Sequence, residues 1–209
     1  MSVQSPSMGE VLAELESDWA LWLATLFPRT ITAPFAAHHI RFWRHIWSVR
    51  PGVRPDPYIA IWGRGGAKSS SAEMAVVALG ATARRRYCLY VSEIQEQADD
   101  HVAGIAAHLE SPEIAAFYPG LATRRLSKFG ASRGWRRNRL WTAGGLIVDA
   151  VGLDVAARGR KLTDEIGSTR PDLLVLDDID DELDTHAAVN RKVRILTKKL
   201  LPVGTGDLA

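Results

Sequence analysis

The stretch IAIWGRGGAKSS, residues 59–70, restricts the fold more than any other part of this 209-residue chain. An apolar run of strand character passes into Gly63, Arg64, Gly65, Gly66 and Ala67, and then into Lys68 and the hydroxyls of Ser69, Ser70 and Ser71. Helical spacing follows, to about residue 83. A strand, a glycine loop and a helix in that order form a unit able to cradle phosphates. Glycines let backbone N–H groups converge on an anion without Cβ clashes, and the helix presents its positive end. Lysine reaches the β- and γ-phosphates, and a hydroxyl supports Mg2+.

The match to G-x-x-x-x-G-K-[ST] is imperfect, because Ala67 and Trp62 stand where glycines are expected. Alanine adds only a methyl, and Gly63 and Gly65 keep the turn flexible beside Trp62. The competing reading is a glycine-rich surface turn before a basic residue. A second signal decides between them. LLVLDD, ending in Asp177 and Asp178, is a buried-strand pattern that presents two carboxylates at its C-terminal end. Ligands sit at that edge of open α/β sheets. Asp177 is placed to hold Mg2+ and a neighbouring carboxylate to orient and polarise an attacking water. The acidic run DDIDDELD also suits a helix start. That accounts for residues 180–184 but not for an apolar strand running straight into Asp177 and Asp178. The two signals together predict a phosphate-binding loop that takes ATP and Mg2+.

Periodicity organises the rest. An amphipathic helix is predicted over residues 10–27, with Val11, Leu12, Leu15, Trp19, Trp22, Leu23 and Leu26 on one face and Pro28 closing it. A second helix follows from Phe35, with Ile40, Trp43, Ile46 and Trp47 as its apolar face. Tryptophans at this spacing build a core or an interface. His38, His39 and His45 have no carboxylate or cysteine at metal-ligand spacing and are read as solvated or capping. The proline-rich connector RPGVRPDP leads to a strand at 58–62. YCLYVS is a short buried strand, residues 94–109 are helical, and 137–152 is a hairpin around a glycine turn. A helix is expected over 185–199 and the start of a strand in KLLPVGTGDLA. Strands separated by helices indicate an α/β fold with a mainly parallel central sheet flanked by helices and interrupted by a β-hairpin insertion. Residues 1–50 form an N-terminal helical segment packing on a core of residues 51–209.

A composition of 46% hydrophobic and 24% charged residues is that of an ordinary globular protein, and a net charge of +2 argues for no partner by itself. The single cysteine, Cys88, excludes an internal disulfide framework and a cysteine-rich zinc site. No run reaches the roughly 18 apolar residues of a membrane helix. The first residues lack the basic start and apolar core of a secretory signal, so a cytoplasmic location is expected.

Two arginines are candidates for phosphoryl transfer, where a guanidinium offsets developing negative charge. Arg64 lies inside the loop, and Arg158 lies in AARGRK before the acidic strand. RRLSKFGASRGWRRNR carries seven cations, among them Arg133, Arg136, Arg137 and Arg139, interleaved with Phe129 and Trp135. No acid occurs between Glu113 and Asp149. Such a stretch can track a nucleic-acid backbone without reading sequence, or can be a solvated basic loop.

GRGGAKSS, with arginine four residues before the lysine, resembles the Walker A variant of the large terminase subunits of tailed bacteriophages. YCLYVSEIQEQADDHV, LWTAGGLIVDAVG leading to AARG, and RPDLLVLDDID extend the resemblance over roughly residues 35–205. It implies a P-loop NTPase of the additional-strand (ASCE) class that powers translocation of double-stranded DNA into a procapsid. It further implies a homo-oligomeric ring on the portal protein, a small terminase subunit as partner, and a monomer in isolation. The location implied is the host-cell cytoplasm, transiently at the procapsid portal. By carry-over Lys68 and Ser69 bind phosphates and Mg2+, Arg64 is the Walker A arginine and Asp177 the Walker B aspartate.

Two departures stand out. The family has a glutamate as catalytic base where this chain has Asp178, so the base is Asp178 or Asp180. A nuclease domain is also expected in the family, yet beyond Asp184 only Asp207 is acidic, so this chain reads as the ATPase half. The alternatives are a helicase-like nucleic-acid-dependent ATPase and a non-catalytic nucleotide- or DNA-binding module.

Overall fold

The computed structural model describes residues 6–153, 162–164, 167–180 and 183–209. Three helices open the chain: α1 (Met8–Ser17), α2 (Trp19–Leu26) and α3 (Ala37–Ser48). Next come α4 (Lys68–Ala81), β1 (Tyr87–Ser92), α5 (Gln95–Leu109) and the short helices α6 (Pro112–Phe117) and α7 (Pro119–Ala122). Strands β2 (Trp135–Arg136), β3 (Arg139–Trp141) and β4 (Ile147–Gly152) precede a ribbon of β5 (Leu162–Asp164) and β6 (Gly167–Thr169). The chain continues through β7 (Leu173–Leu176) and α8 (His186–Ile195), which runs on into a π-helical turn, Leu196–Leu200.

The single helix expected over 10–27 is two helices. Asp18 leaves the helical region and caps α2, its carboxylate accepting from Ala20 N–H at 2.8 Å. Aspartate is a favoured N-cap because it satisfies a first-turn N–H that has no partner in the helix. The tryptophans build core, as their spacing predicts. Trp22 and Leu23 of α2 and Trp43 of α3 share one buried cluster with Val76 of α4 and Ile105 of α5. Trp22 donates its indole N–H to the Tyr118 hydroxyl at 2.9 Å, and Tyr118 donates to Glu16 at 2.9 Å. A buried indole with a satisfied N–H fixes how α2 sits on the layer beneath.

The sheet has the order β2-β3-β4-β1-β7. Central β1 pairs parallel with both β4 and β7, so that Cys88 lies opposite Val148 on one side and Leu173 on the other. Its alternation is that of a strand buried on both faces. Cys88 and Tyr90 face α4 and α5, while Tyr87, Leu89 and Val91 face Ile195 and Leu200.

Two expectations need correction. The sheet is mixed rather than mainly parallel, since β2, β3 and β4 pair antiparallel. The reason is that the hairpin of residues 137–152 is no separate insertion. Its second arm is β4 itself, buried along its length in the core sheet, so β3 and β2 extend that sheet antiparallel.

Residues 58–62 form no strand. Tyr58 and Trp62 pack edge-on against Phe42 of α3, with ring centroids 5.3 and 5.6 Å away, and draw the segment off the sheet. Ile59 and Ile61 are left 79% and 91% exposed. A cavity of about 560 Å³ separates this segment from the edge of β7, lined by Phe42, Tyr58, Ala75, Leu79 and Leu174. The strand expected in KLLPVGTGDLA is also not formed. Ala209 accepts from Leu174 N–H of β7 at 2.8 Å and donates to Asp172 O at 3.0 Å, and Thr205 N–H donates to Pro171 O at 2.8 Å, so the contact stays at the start of β7.

Candidate functional site

The glycine loop turns on Gly66, whose N–H reaches Gly63 O at 3.0 Å. A Cβ at Gly66 would lie 3.0 Å from that oxygen and 3.3 Å from Trp62 Cβ, so this close turn requires glycine. Ala67 adopts a left-handed conformation, φ +56°, where glycine is the residue without penalty. It leads directly into α4, whose first turn has no side-chain cap. The first N–H groups of that helix therefore face the loop unpaired within the helix, as an anion site requires.

His39 backs the loop. Its Nδ1 accepts from Ala36 N–H at 3.2 Å, which leaves the proton of the neutral ring on Nε2, 3.0 Å from Gly66 O. That tautomer, assigned from its partners, donates to the loop carbonyl. The His38 ring packs tilted against Trp62, with ring centroids 4.7 Å apart. The capping role expected of these histidines is found for His39, but the ring also supports the loop. Sequence reasoning had no means of pairing residues so far apart.

Asp177 follows β7 directly and is tied to β1 by its backbone N–H, which donates to Val91 O at 2.9 Å. It is 3% exposed and receives the Tyr90 hydroxyl on Oδ2 at 3.0 Å. The Lys68 ammonium lies 3.2 Å from its Oδ1 and 2.6 Å from Asp178 Oδ1. Burial pushes the Asp177 carboxyl up, but the nearby Ser69 hydroxyl, the Lys68 ammonium and the Tyr90 hydroxyl outweigh it and hold the carboxyl below its ordinary value. The hydrogen bond to Asp178 raises the Lys68 pKa against the opposing effect of burial. Asp178 is exposed and left-handed, φ +48°, and its carbonyl accepts from Glu93 N–H at 3.2 Å. Two non-glycine residues in that region at one site match the tendency of backbone strain to gather where function does.

The structure thus brings together Gly63, Gly65, Gly66, Ala67, Lys68, Ser69, Asp177 and Asp178, with Ser70 on the same helical turn. Arg64 is exposed and pairs with no carboxylate among the described residues. Asp180 is exposed two residues beyond Asp178. Arg158 lies outside the described residues. Three partners escaped the sequence reading: Tyr90, Glu73 and His101. Glu73 Oε1 lies 2.7 Å from His101 Nδ1, and His101 Nε2 lies 3.7 Å from Asp177 Oδ2. Glu73 and His101 follow polar stretches, KSSSA and QEQADD, so nothing in the local sequence set them apart.

Among the described residues no three His, Cys, Asp or Glu side chains converge as a metal cage by themselves. The Ser69 hydroxyl lies close enough to the Asp177 carboxylate to help lower its pKa, which makes a pair of hard oxygen donors beside a lysine and a helix start. Mg2+ takes one or two protein oxygens and completes its shell with water and phosphate, so the pair fits that ion.

The basic stretch lies at the opposite side of the sheet, on β2 and β3. Arg133, Arg136 and Arg139 line a recess of about 400 Å³ with Asn138, Trp141 and Asp149. Arg139 grips fully buried Asp149 with two hydrogen bonds of 2.5 and 2.6 Å, and Tyr87 donates to the same carboxylate at 2.6 Å. Arg137 pairs with Asp100 at 2.7 Å and Arg124 with Glu110 at 3.0 Å. Acids absent from the local sequence reach these cations from α5 and β4. No helix among the described residues is long and apolar enough to cross a membrane. Known protein-family models do not match the chain, and a search of curated proteins finds no match.

Proposed function

We propose that this chain is an ATPase whose site is the loop 63–67, the start of α4 and the carboxylates after β7. The observation that carries the reading is the convergence of Lys68 Nζ, the Ser69 hydroxyl, Asp177 and Asp178 at the C-terminal edge of the parallel strands. Ser69 and Asp177 would hold Mg2+, which when bound supplies charge neutralisation on the phosphate oxygens. With nucleotide in place, Lys68 leaves Asp178 for the β- and γ-phosphates. Asp178 then orients a water and takes its proton as the water oxygen bonds to the γ-phosphorus. The bond from that phosphorus to the bridging oxygen breaks and ADP leaves. Arg64, inside the loop and without a carboxylate partner among the described residues, would offset charge on the transferred group, and Arg158 is the second candidate for that role.

The finer reading rests on the resemblance of GRGGAKSS, the 137–152 hairpin and RPDLLVLDDID to terminase large subunits. On it, the ATPase is a P-loop NTPase of the ASCE class that drives double-stranded DNA through a portal into a procapsid. Its partners are then DNA, the portal protein, a small terminase subunit and further copies of itself, in the cytoplasm of an infected cell. Phosphate release from ATP and Mg2+ should occur in wild type, vanish in Lys68→Ala and rise with linear double-stranded DNA. Near-normal release in Lys68→Ala overturns the ATPase reading. A second reading, a nucleotide-binding module without turnover, is favoured by the short Asp178 side chain held against Lys68, and it predicts ATP binding with no release in any condition.

A further inference from the structure

The Asp177 carboxylate is contacted from two sides. Its Oδ1 faces Lys68, while Oδ2 receives the Tyr90 hydroxyl and faces His101 Nε2. The His101 ring is itself held. Its Nδ1 lies 2.7 Å from Glu73 Oε1, and its plane stacks on Tyr90 with ring centroids 4.9 Å apart. Glu73 is recessed between α4 and α5, with His108 Nε2 3.8 Å from its other oxygen. Space for that carboxylate exists because α5 carries Gly104, where an added Cβ would lie 2.8 Å from Glu73 Oε2. Glycine inside a helix costs about 1 kcal/mol relative to alanine, and an alanine here would push the Glu73 carboxylate from its place.

We propose that Glu73 and His101 form a positioning relay that sets the rotation of Asp177, and hence the affinity of the site for its divalent cation. The inference rests on the ATPase reading above and extends it to residues of α4 and α5 that touch neither nucleotide nor metal. Carboxylate–histidine pairs behind a metal-binding group act in this way, by holding the ligand in one orientation. His101 here faces the far oxygen of Asp177, which leaves Oδ1 turned toward Lys68. Without the ring nitrogens, Tyr90 is the contact on that side that remains among the described residues.

The test is a Mg2+ titration of a fluorescent ADP analogue bound to the full chain, with a parallel titration of the analogue in EDTA. His101→Phe keeps the ring against Tyr90 and removes both nitrogens. It should raise the half-saturating Mg2+ concentration by about 10- to 100-fold while metal-free binding stays within about 2-fold. His101→Gln, which keeps a donor toward Asp177, should recover part of the loss. Glu73→Gln, a milder change should His101→Phe fail to fold, should shift Mg2+ in the same direction. Equal loss with and without Mg2+, or no change in any variant while wild type binds the Mg2+ complex, overturns the relay and leaves the ATPase reading standing. A wild-type chain that binds no analogue in either titration overturns both.

Discussion

The Lys68 ammonium lies 2.6 Å from Asp178 Oδ1, closer than to the buried Asp177 Oδ1 at 3.2 Å. The lysine that would grip phosphate is thus held by the carboxylate that would activate water. Removing the charge at position 178 has two opposed effects. Asp178→Asn frees Lys68 and should leave ATP binding equal to or tighter than wild type, yet it removes the base and should lower turnover about 10²- to 10⁴-fold. Asp178→Glu keeps the carboxylate and lengthens its reach, so it should retain activity. Phosphate release and ATP affinity measured on the same three proteins separate the effects; equal turnover in all three would move the base to another residue.

Ala67 is left-handed at the point where the loop enters α4. For a residue with a Cβ that conformation costs roughly 1–2 kcal/mol, partly returned by the greater freedom glycine has when unfolded. Ala67→Gly should therefore stabilise the chain by up to about 1 kcal/mol, seen as a higher urea midpoint at an unchanged slope. A lower midpoint would mean that the alanine methyl packs usefully in this loop.

His101 is held above the ordinary imidazole range, first by its hydrogen bond to Glu73 and further by the charges of Asp177, Glu73 and Asp178 against the effect of burial. The folded state therefore binds the proton more tightly than the unfolded state. Its stabilising contribution is complete below the unfolded value of about 6.5 and is lost as pH rises through the folded value. His101→Gln should be less stable than wild type at pH 6, and the gap should narrow toward pH 8.5. Urea unfolding across that interval is the measurement, and a gap independent of pH would show that His101 does not titrate differently on unfolding.

Long periodic segments are legible in the sequence: α4, β1, α5, the hairpin of β3 and β4, and β7 all follow from apolar spacing. β1 and β4 are buried along their length, whereas β7, an edge strand, leaves Leu176 exposed. Residues 58–62 show the limit of that logic. IAIW has strand character, but Tyr58 and Trp62 dock on Phe42, and no periodicity records which surface an aromatic will choose. The break at Asp18 depended on whether one carboxylate would cap a helix or decorate one. Within the site, Lys68, Ser69, Asp177 and Asp178 were legible because each stands at a motif position. Tyr90, Glu73, His101 and the loop-supporting contact of His39 were not, because they meet across separate elements that sequence spacing does not connect.

The arginines on β2 and β3 divide by their partners, and that division sets the last prediction. Arg136 is exposed at the rim of its recess, whereas Arg139 neutralises Asp149, which is fully buried. If this face tracks a DNA backbone, Arg136→Ala should weaken binding uniformly across sequences and reduce the slope of log affinity against log salt by about 1, with little change in stability. Arg139→Ala instead removes the two charge-assisted hydrogen bonds that a guanidinium makes to a fully buried carboxylate, a change of a kind that typically costs about 3–5 kcal/mol, and should unfold the chain more readily whether or not DNA is present. Measuring both variants by salt-dependent DNA binding and by urea unfolding tells the two roles apart. Loss of DNA affinity in Arg139→Ala alone, with Arg136→Ala indistinguishable from wild type, would mean that the basic stretch serves the sheet rather than a nucleic-acid partner.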